Sequence, residues 1–124
     1  MIDHIYLPVT NLEKSLAFYT ALLTPLGKGK TWEFKAQAGW PDLWGFGAPR
    51  PGFWLRKSKQ TLQDLYIAFS ALNEGAVNNA YNAALNSGGS DNGKPGLLTH
   101  FNPRYYGANV LDPDGYNVEI CFKP

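Results

Sequence analysis

From the N-terminus, the apolar and polar positions of the chain first show the periodicity of a β-strand and then that of an α-helix. Residues 2–9 alternate between apolar and polar side chains, which is typical of a β-strand with one buried face. Asn11 follows as a helix N-cap, and Pro25 and Gly27 end the helix. Its apolar stripe has spacings of four and three and consists of Leu12, Leu16, Tyr19, Leu23 and Leu26. The pattern predicts an amphipathic helix lying on a sheet.

The same strand and helix unit recurs at an offset of 62 residues. Residues 63–71 alternate as a second strand, Asn73 caps a second helix, and Gly88 and Gly89 stop it. The identical pairs are Ile5 and Ile67, Asn11 and Asn73, Tyr19 and Tyr81, Ala21 and Ala83, Leu23 and Leu85, and Gly27 and Gly89. Because these identities fall on the cap, the stripe and the stop of the helix, we interpret them as an internal repeat.

The segments that follow the two helices predict the remaining strands. Glycine and proline divide residues 28–57 into three apolar and aromatic pieces, which predict three antiparallel strands. The pieces are residues 32–34, 43–46 and 53–56. Residues 90–95 are rich in turn formers, and residues 97–104 indicate a loop or a ragged strand. Residues 105–122 predict a β-hairpin whose turn is Asp112-Pro113-Asp114-Gly115.

Together these elements predict an α+β fold built from two βαβββ modules in a single domain of residues 1–124. Module one spans residues 1–57, and module two spans residues 64–122. Neither module buries its sheet alone, so we expect the two sheets to join as an incompletely closed barrel with the helices outside. The concave inner face of such a barrel is the expected ligand site.

Two side chains of metal-ligand type lie on the polar faces of the outer strands. Glu119 is a carboxylate in mid-strand, and on an enclosed sheet face it needs a cation, a donor or water, whereas on a solvated face it needs none. His4 shares the polar face of the first strand. The repeat offset maps His4 onto Tyr66 and Glu119 onto the vicinity of Lys57. A pseudo-twofold axis would bring these four positions together at the mouth of the barrel.

The composition of the chain limits which partners and which cellular location we expect. The 124 residues are 44% hydrophobic, which is enough for a packed interior. A net charge of +1, from 11 basic and 10 acidic residues, argues against binding to nucleic acid or to an anionic membrane. The lone Cys121 excludes an internal disulfide and indicates a buried, inert thiol. With no signal-like or membrane-spanning apolar run, we expect a cytoplasmic protein.

The chain resembles the vicinal oxygen chelate superfamily, which contains glyoxalases, bleomycin resistance proteins and extradiol dioxygenases. The resemblance covers the whole length and is specific only when its motifs are taken together. The motifs are His4-Ile5-Tyr6-Leu7-Pro8-Val9, Leu16-Ala17-Phe18-Tyr19, Tyr106-Gly107-Ala108 and Asp112-Pro113-Asp114-Gly115-Tyr116-Asn117-Val118-Glu119.

This resemblance implies paired βαβββ modules and a divalent metal ion that chelates two neighbouring oxygens of a small substrate. The implied activity is that of a lyase, an isomerase or a dioxygenase, with the metal acting as a Lewis acid. The implied ligands are His4 and Glu119, with Glu119 also the catalytic carboxylate. Tyr66 stands where the superfamily usually has the second histidine. Two protein ligands would hold zinc, nickel, manganese or iron only weakly.

The resemblance equally implies a second function, a metal-free protein that sequesters a small molecule as bleomycin resistance proteins do. Aromatic side chains would then hold a flat ligand, and a basic side chain would fix its polar end. The aromatic candidates are Tyr6, Trp54, Tyr66 and Tyr106, and the basic candidates are Arg56 and His100. We expect a homodimer, and the modules pair either within one chain or across a swapped dimer.

Overall fold

The computed structural model describes residues 1–37, 39, 41–100 and 102–124, and these residues form two α-helices and eight strands. The first half contains β1 (Ile5–Val9), α1 (Leu12–Leu23), β2 (Thr31–Phe34), β3 (Leu43–Phe46) and β4 (Phe53–Lys57), with a short 3₁₀ helix (Thr24–Leu26) after α1. The second half contains β5 (Tyr66–Ser70), α2 (Glu74–Leu85), β6 (Ser90–Leu97), β7 (Tyr106–Leu111) and β8 (Asn117–Phe122).

Each half forms its own four-stranded sheet, and the two sheets have the same topology. The strand order is β1-β4-β3-β2 in the first sheet and β5-β8-β7-β6 in the second. In each sheet the first and last strands of the module pair in parallel, and the other neighbours are antiparallel. The predicted α+β fold with two modules is therefore confirmed, with two separate sheets that do not close into a barrel.

Equivalent asparagines begin the two helices. The side-chain oxygen of Asn11 accepts a hydrogen bond from the backbone N–H of Lys14 at 3.0 Å, and that of Asn73 accepts from Ala76 at 2.8 Å. Both asparagines are in extended conformation, as N-caps require. Each cap satisfies one backbone donor that the first turn of the helix leaves without a partner.

The hydrophobic core lies on the helix side of both sheets, where α1 and α2 also contact each other. Tyr19 of α1 packs edge-on against Phe53 of the first sheet, with ring centroids 5.0 Å apart, and Phe53 packs against Phe69 of the second sheet at 5.1 Å. Burying one face of each sheet in this way leaves the opposite face open. We call these the open faces of the two sheets.

The hairpin turn between β7 and β8 ties the two halves together. The predicted turn is confirmed. The Asp112 carbonyl accepts a hydrogen bond from the backbone N–H of Gly115 at 2.9 Å, and Gly115 has a φ of 85°. The phenol of Tyr19 donates to the buried Asp112 carboxylate at 2.6 Å, and that of Tyr116 donates to the Pro8 carbonyl at 2.6 Å. Burial raises the pKa of Asp112, and the hydrogen bond from Tyr19 opposes that rise.

One predicted element is wrong, because residues 90–97 form β6 where the sequence indicated turns. β6 lies at the edge of its sheet and pairs with β7 through register shifts at Gly93 and Gly96. An edge strand tolerates Pro95, glycines and bulges that an inner strand would not. Residue 101, in the segment predicted as a loop or ragged strand, lies outside the described residues. No helix in the described part of the chain is long and apolar enough to cross a membrane.

Candidate functional site

Aromatic side chains form a wall on the open face of the first sheet. The ring of Tyr6 lies 5.3 Å from His4 and 6.3 Å from Trp54, measured between centroids. The ring of Phe34 meets Trp54 from the other side at 5.8 Å. These residues share a face because β1 pairs in parallel with β4, which places Tyr6 directly opposite Trp54. Four rings from three segments of chain therefore line one surface.

This wall borders a cavity of about 520 Å³, which we call the aromatic cavity. Its lining is predominantly apolar, with charged side chains included, which is the usual composition of a small-molecule site. The lining residues are Asp3, His4, Tyr6, Phe34, Lys35, Gln37, Pro41, Leu43, Arg50, Pro51 and Trp54. The volume lies within the range of roughly 300–1,000 Å³ that such sites occupy.

Gly45 allows the indole of Trp54 to lie flat against the sheet. The two residues are paired across β3 and β4. A Cβ atom at Gly45 would lie 2.8 Å from three ring atoms of Trp54, closer than carbon atoms pack. Trp54 is only 9% exposed although it is on the open face. The missing side chain at Gly45 thus fixes the position of the largest ring in the wall.

Charged side chains are included in the lining of the aromatic cavity. The carboxylate of Asp3 is 2.8 Å from His4 Nδ1 and 3.2 Å from the Arg50 guanidinium. The hydrogen bond with His4 and the charge of Arg50 lower the pKa of Asp3. Lys35 pairs with Glu33, and the hydrogen bond with this carboxylate raises the pKa of Lys35. The cavity lining therefore includes two cations, Lys35 and Arg50, and one anion, Asp3.

The open face of the second sheet carries a different group of side chains, centred on Glu119. This residue is 3% exposed, and its two carboxylate oxygens each accept a hydrogen bond from a phenol, one from Tyr66 and one from Tyr105. Asn109 pairs with Glu119 across β7 and β8, and its amide donates to the Tyr66 oxygen at 3.1 Å. Glu119 is therefore buried, and both of its oxygens have hydrogen-bond donors, as a carboxylate removed from water requires.

The phenols around Glu119 predict a loss of stability at alkaline pH. Desolvation, followed by the hydrogen bond to Glu119, raises the pKa of both Tyr66 and Tyr105 above the ordinary value of 10.0. Above about pH 10 the unfolded chain loses phenol protons that the folded chain keeps, so the free energy of unfolding falls as pH rises. Urea unfolding at pH values from about 8 to 11 measures this slope. We expect a shallower slope in Tyr66→Phe and Tyr105→Phe, and identical slopes in all three proteins would contradict the prediction.

The predicted ligand-binding residues are found in different places. Tyr6 and Trp54 line the aromatic cavity, and Arg56 borders a neighbouring hollow of about 270 Å³ that shares Tyr6 and Leu43. Tyr66 is on the second sheet beside Glu119. The phenol of Tyr106 donates to Asn78 of α2 at 2.7 Å, on the helix side of that sheet, and His100 is exposed and does not line the aromatic cavity.

Comparison with known proteins agrees with this architecture. The family model of the Glyoxalase/Bleomycin resistance protein/Dioxygenase superfamily matches residues 1–120. The chain belongs to this superfamily. A glyoxalase/bleomycin resistance protein from Albidiferax ferrireducens T118 superimposes with a TM-score of 0.81 at 24% identity, with 98% of each chain covered. A glyoxalase/bleomycin resistance protein/dioxygenase family enzyme from Burkholderia phytofirmans PsJN gives a TM-score of 0.72 at 14% identity, covering 98% of this chain and 97% of that chain.

At these identities the superposition with superfamily members shows the fold alone. A putative glyoxalase from Bacillus halodurans gives a TM-score of 0.62 at 19% identity, with 99% of this chain and 96% of that chain covered. Among curated proteins, none matches the chain. These similarities therefore assign neither a substrate nor a chemistry to this chain.

The residues present do not fit the divalent metal that the superfamily resemblance implies. His4 lies in the aromatic cavity with its Nδ1 beside Asp3, and both oxygens of Glu119 accept phenol protons. In the described part of the chain, no three His, Cys, Asp or Glu side chains come together as a metal site. The described residues therefore give no support to metal binding at His4 and Glu119, which is predicted from the sequence alone.

The strand registers also correct the prediction of which residue in the first module corresponds to Glu119. Ile5 and Ile67, equivalent in the repeat, pair with Phe53 and Val118 in their respective sheets. The next residue along the last strand is Trp54 in the first module and Glu119 in the second. Trp54, three residues before Lys57, thus occupies the position of Glu119, because the modules differ in length after their helices.

Sequence reasoning missed several residues of both open faces. Phe34, Lys35, Arg50 and Asp3 line the aromatic cavity, and Tyr105 binds Glu119. Strand alternation could have indicated Tyr105, because it has the same parity as Asn109 in the hairpin and so shares the face of Glu119. The cavity residues carry no such signal, because they come from chain segments before β1, around β2 and before β4.

Proposed function

We propose that the protein binds a flat aromatic molecule carrying a carboxylate, in the aromatic cavity and without a metal ion. The observation that carries this proposal is the wall of four rings along a cavity of about 520 Å³. Aromatic walls stack on planar ligands and bury much of their apolar surface. This is the binding function of the bleomycin-resistance type, one of the two functions that the sequence resemblance implies.

The two cations in the lining of the aromatic cavity support the choice of a carboxylate. Lys35 and Arg50 both line the cavity, and only Asp3 opposes them among its described lining residues. Arginine donates two parallel hydrogen bonds to a carboxylate, which fixes the orientation of the ligand as well as binding it. A ligand carboxylate would meet one of these two cations while its ring lies against Tyr6 and Trp54.

Titration with three probes tests the ligand class. We expect naphthalene-2-carboxylate to bind more tightly than 2-naphthylmethylammonium, which has the same ring and the opposite charge. We also expect it to bind more tightly than cyclohexanecarboxylate, which has the charge but no flat ring. Calorimetry measures all three affinities. Equal affinity for the two naphthalene probes would remove the carboxylate from the proposal, and equal affinity for the two carboxylates would remove the aromatic contact.

Substitution of Gly45 should disturb the cavity through Trp54 alone. The Cβ of Gly45→Ala would collide with the indole at 2.8 Å, so the ring must move away from its place in the wall. We expect the affinity for naphthalene-2-carboxylate to fall by about tenfold, which corresponds to the loss of one aromatic contact. Gly96→Ala is the matched control, because a Cβ there has nothing within 4 Å. The same affinity in both variants would show that the ring does not touch the probe.

Two expectations from the sequence remain predictions beside this proposal. A metal-dependent lyase, isomerase or dioxygenase activity is supported only by the superfamily resemblance. The described residues contain no cluster of donors that would hold the metal. The homodimer also stays an expectation from the sequence. Sedimentation of the purified protein measures the oligomeric state.

A further inference from the structure

Glu119 is placed where an ionised carboxylate is costly unless something compensates its charge. The residue is 3% exposed in the middle of β8, between Ala68 of β5 and Asn109 of β7. The β7 backbone comes close to it, since a Cβ at Gly107 would lie 3.3 Å from Glu119 Oε1. Burial of this kind calls for a cation or for hydrogen-bond donors.

Here the compensation comes from two phenols. Tyr66 donates to Oε2 and Tyr105 donates to Oε1, so both oxygens of Glu119 are engaged. The amide of Asn109 donates to the Tyr66 oxygen at 3.1 Å and to the Asn117 side chain at 3.0 Å. Because the Tyr66 oxygen already accepts from Asn109, its single proton is directed to Glu119. Tyr66 thus accepts from Asn109 and donates to Glu119.

The geometry points to a structural role in which the phenols of Tyr66 and Tyr105 take the place of a cation at Glu119. In this role the carboxylate joins β5, β8 and the chain entering β7 across the open face of the second sheet, and it is not a metal ligand. A divalent ion bound to Glu119 would have to displace phenol protons from the oxygen it contacts, because zinc approaches carboxylate oxygen at about 2.0–2.2 Å. The inference goes beyond the proposed function, since it concerns the other sheet and makes no use of the aromatic cavity.

A double-mutant cycle tests whether Glu119 and the phenols act as a unit in the metal-free protein. In buffer containing EDTA, we expect Tyr66→Phe and Tyr105→Phe each to lower the melting temperature by roughly 4–8 °C. In a Glu119→Gln background the same changes should lower it by less than half as much, because the charged acceptor is already lost. Tyr66 is 54% exposed and keeps its ring in the variant, so Tyr66→Phe is expected to fold.

Tyr106→Phe is the matched control, because it removes one phenol hydrogen bond from the neighbouring residue on the helix side of the same sheet. Its effect on the melting temperature should be the same in the unmodified protein and in the Glu119→Gln background. An unchanged melting temperature in Tyr66→Phe and Tyr105→Phe would overturn the inference. It would also be overturned if zinc or nickel raised the melting temperature of the unmodified protein and Glu119→Gln abolished that rise.

Discussion

Replacing Trp54 with alanine is expected to weaken the binding of naphthalene-2-carboxylate by about 10–100-fold. The indole contacts both Tyr6 and Phe34, with centroid distances of 6.3 and 5.8 Å, so its removal opens the middle of the aromatic wall. Calorimetric titration of the variant measures the change. Trp54→Phe should recover part of the affinity, because phenylalanine restores a flat apolar surface of smaller area.

Trp44→Ala is the matched control for this change. Trp44 precedes Gly45 in β3 and packs against the core on the helix side of the first sheet, so its loss costs stability without opening the cavity. We expect the folded Trp44 variant to bind the probe as the unmodified protein does. Equal losses of affinity in the two alanine variants would mean that the Trp54 effect arises from general destabilisation.

Gly89→Ala is expected to cost far more stability than the same change at Gly27, the equivalent glycine of the first module. A Cβ at this position would lie 2.6 Å from the Phe18 ring and 2.8 Å from the carbonyl oxygen of Ala84. The carbonyl belongs to the backbone at the end of α2 and yields little, so the free energy of unfolding should fall by about 1–3 kcal/mol or more. Urea unfolding at neutral pH measures it.

The equivalent glycine of the first module provides the comparison. Gly27 has a φ of 73°, and a Cβ added there meets no atom within 4 Å, so Gly27→Ala should cost about 1 kcal/mol from backbone conformation alone. Gly96→Ala meets no neighbouring atom and should cost least. The expected order of destabilisation is Gly89, Gly27, Gly96. A Gly89 variant as stable as the Gly96 variant would show that α2 and Phe18 rearrange without cost.

Local sequence signals predicted the helices and the final hairpin well because these elements depend on neighbouring residues. Asn11 and Asn73 cap their helices through their own side chains, and the Asp112 to Gly115 turn closes through hydrogen bonds within four residues. The offset of 62 residues holds through both helices because each helix is determined by its own residues. Each of these features is determined within a few residues of chain.

Features set by pairing between distant segments could not be predicted in the same way. The correspondence of Trp54 with Glu119 depends on which residue of β4 lies opposite β1, and this is set by the lengths of the intervening strands and loops. β6 is a strand because β7 supplies its partner, although its own sequence is rich in turn formers. The aromatic cavity combines residues from segments that only the folded sheet brings together.

A calorimetric titration of EDTA-treated protein with naphthalene-2-carboxylate tests whether the aromatic cavity binds its ligand without a metal ion. We expect saturable binding in EDTA, an unchanged affinity after zinc or nickel is added, and the same affinity in Glu119→Gln. Binding that appears only when a divalent metal is present and disappears in Glu119→Gln would contradict metal-free binding in the aromatic cavity.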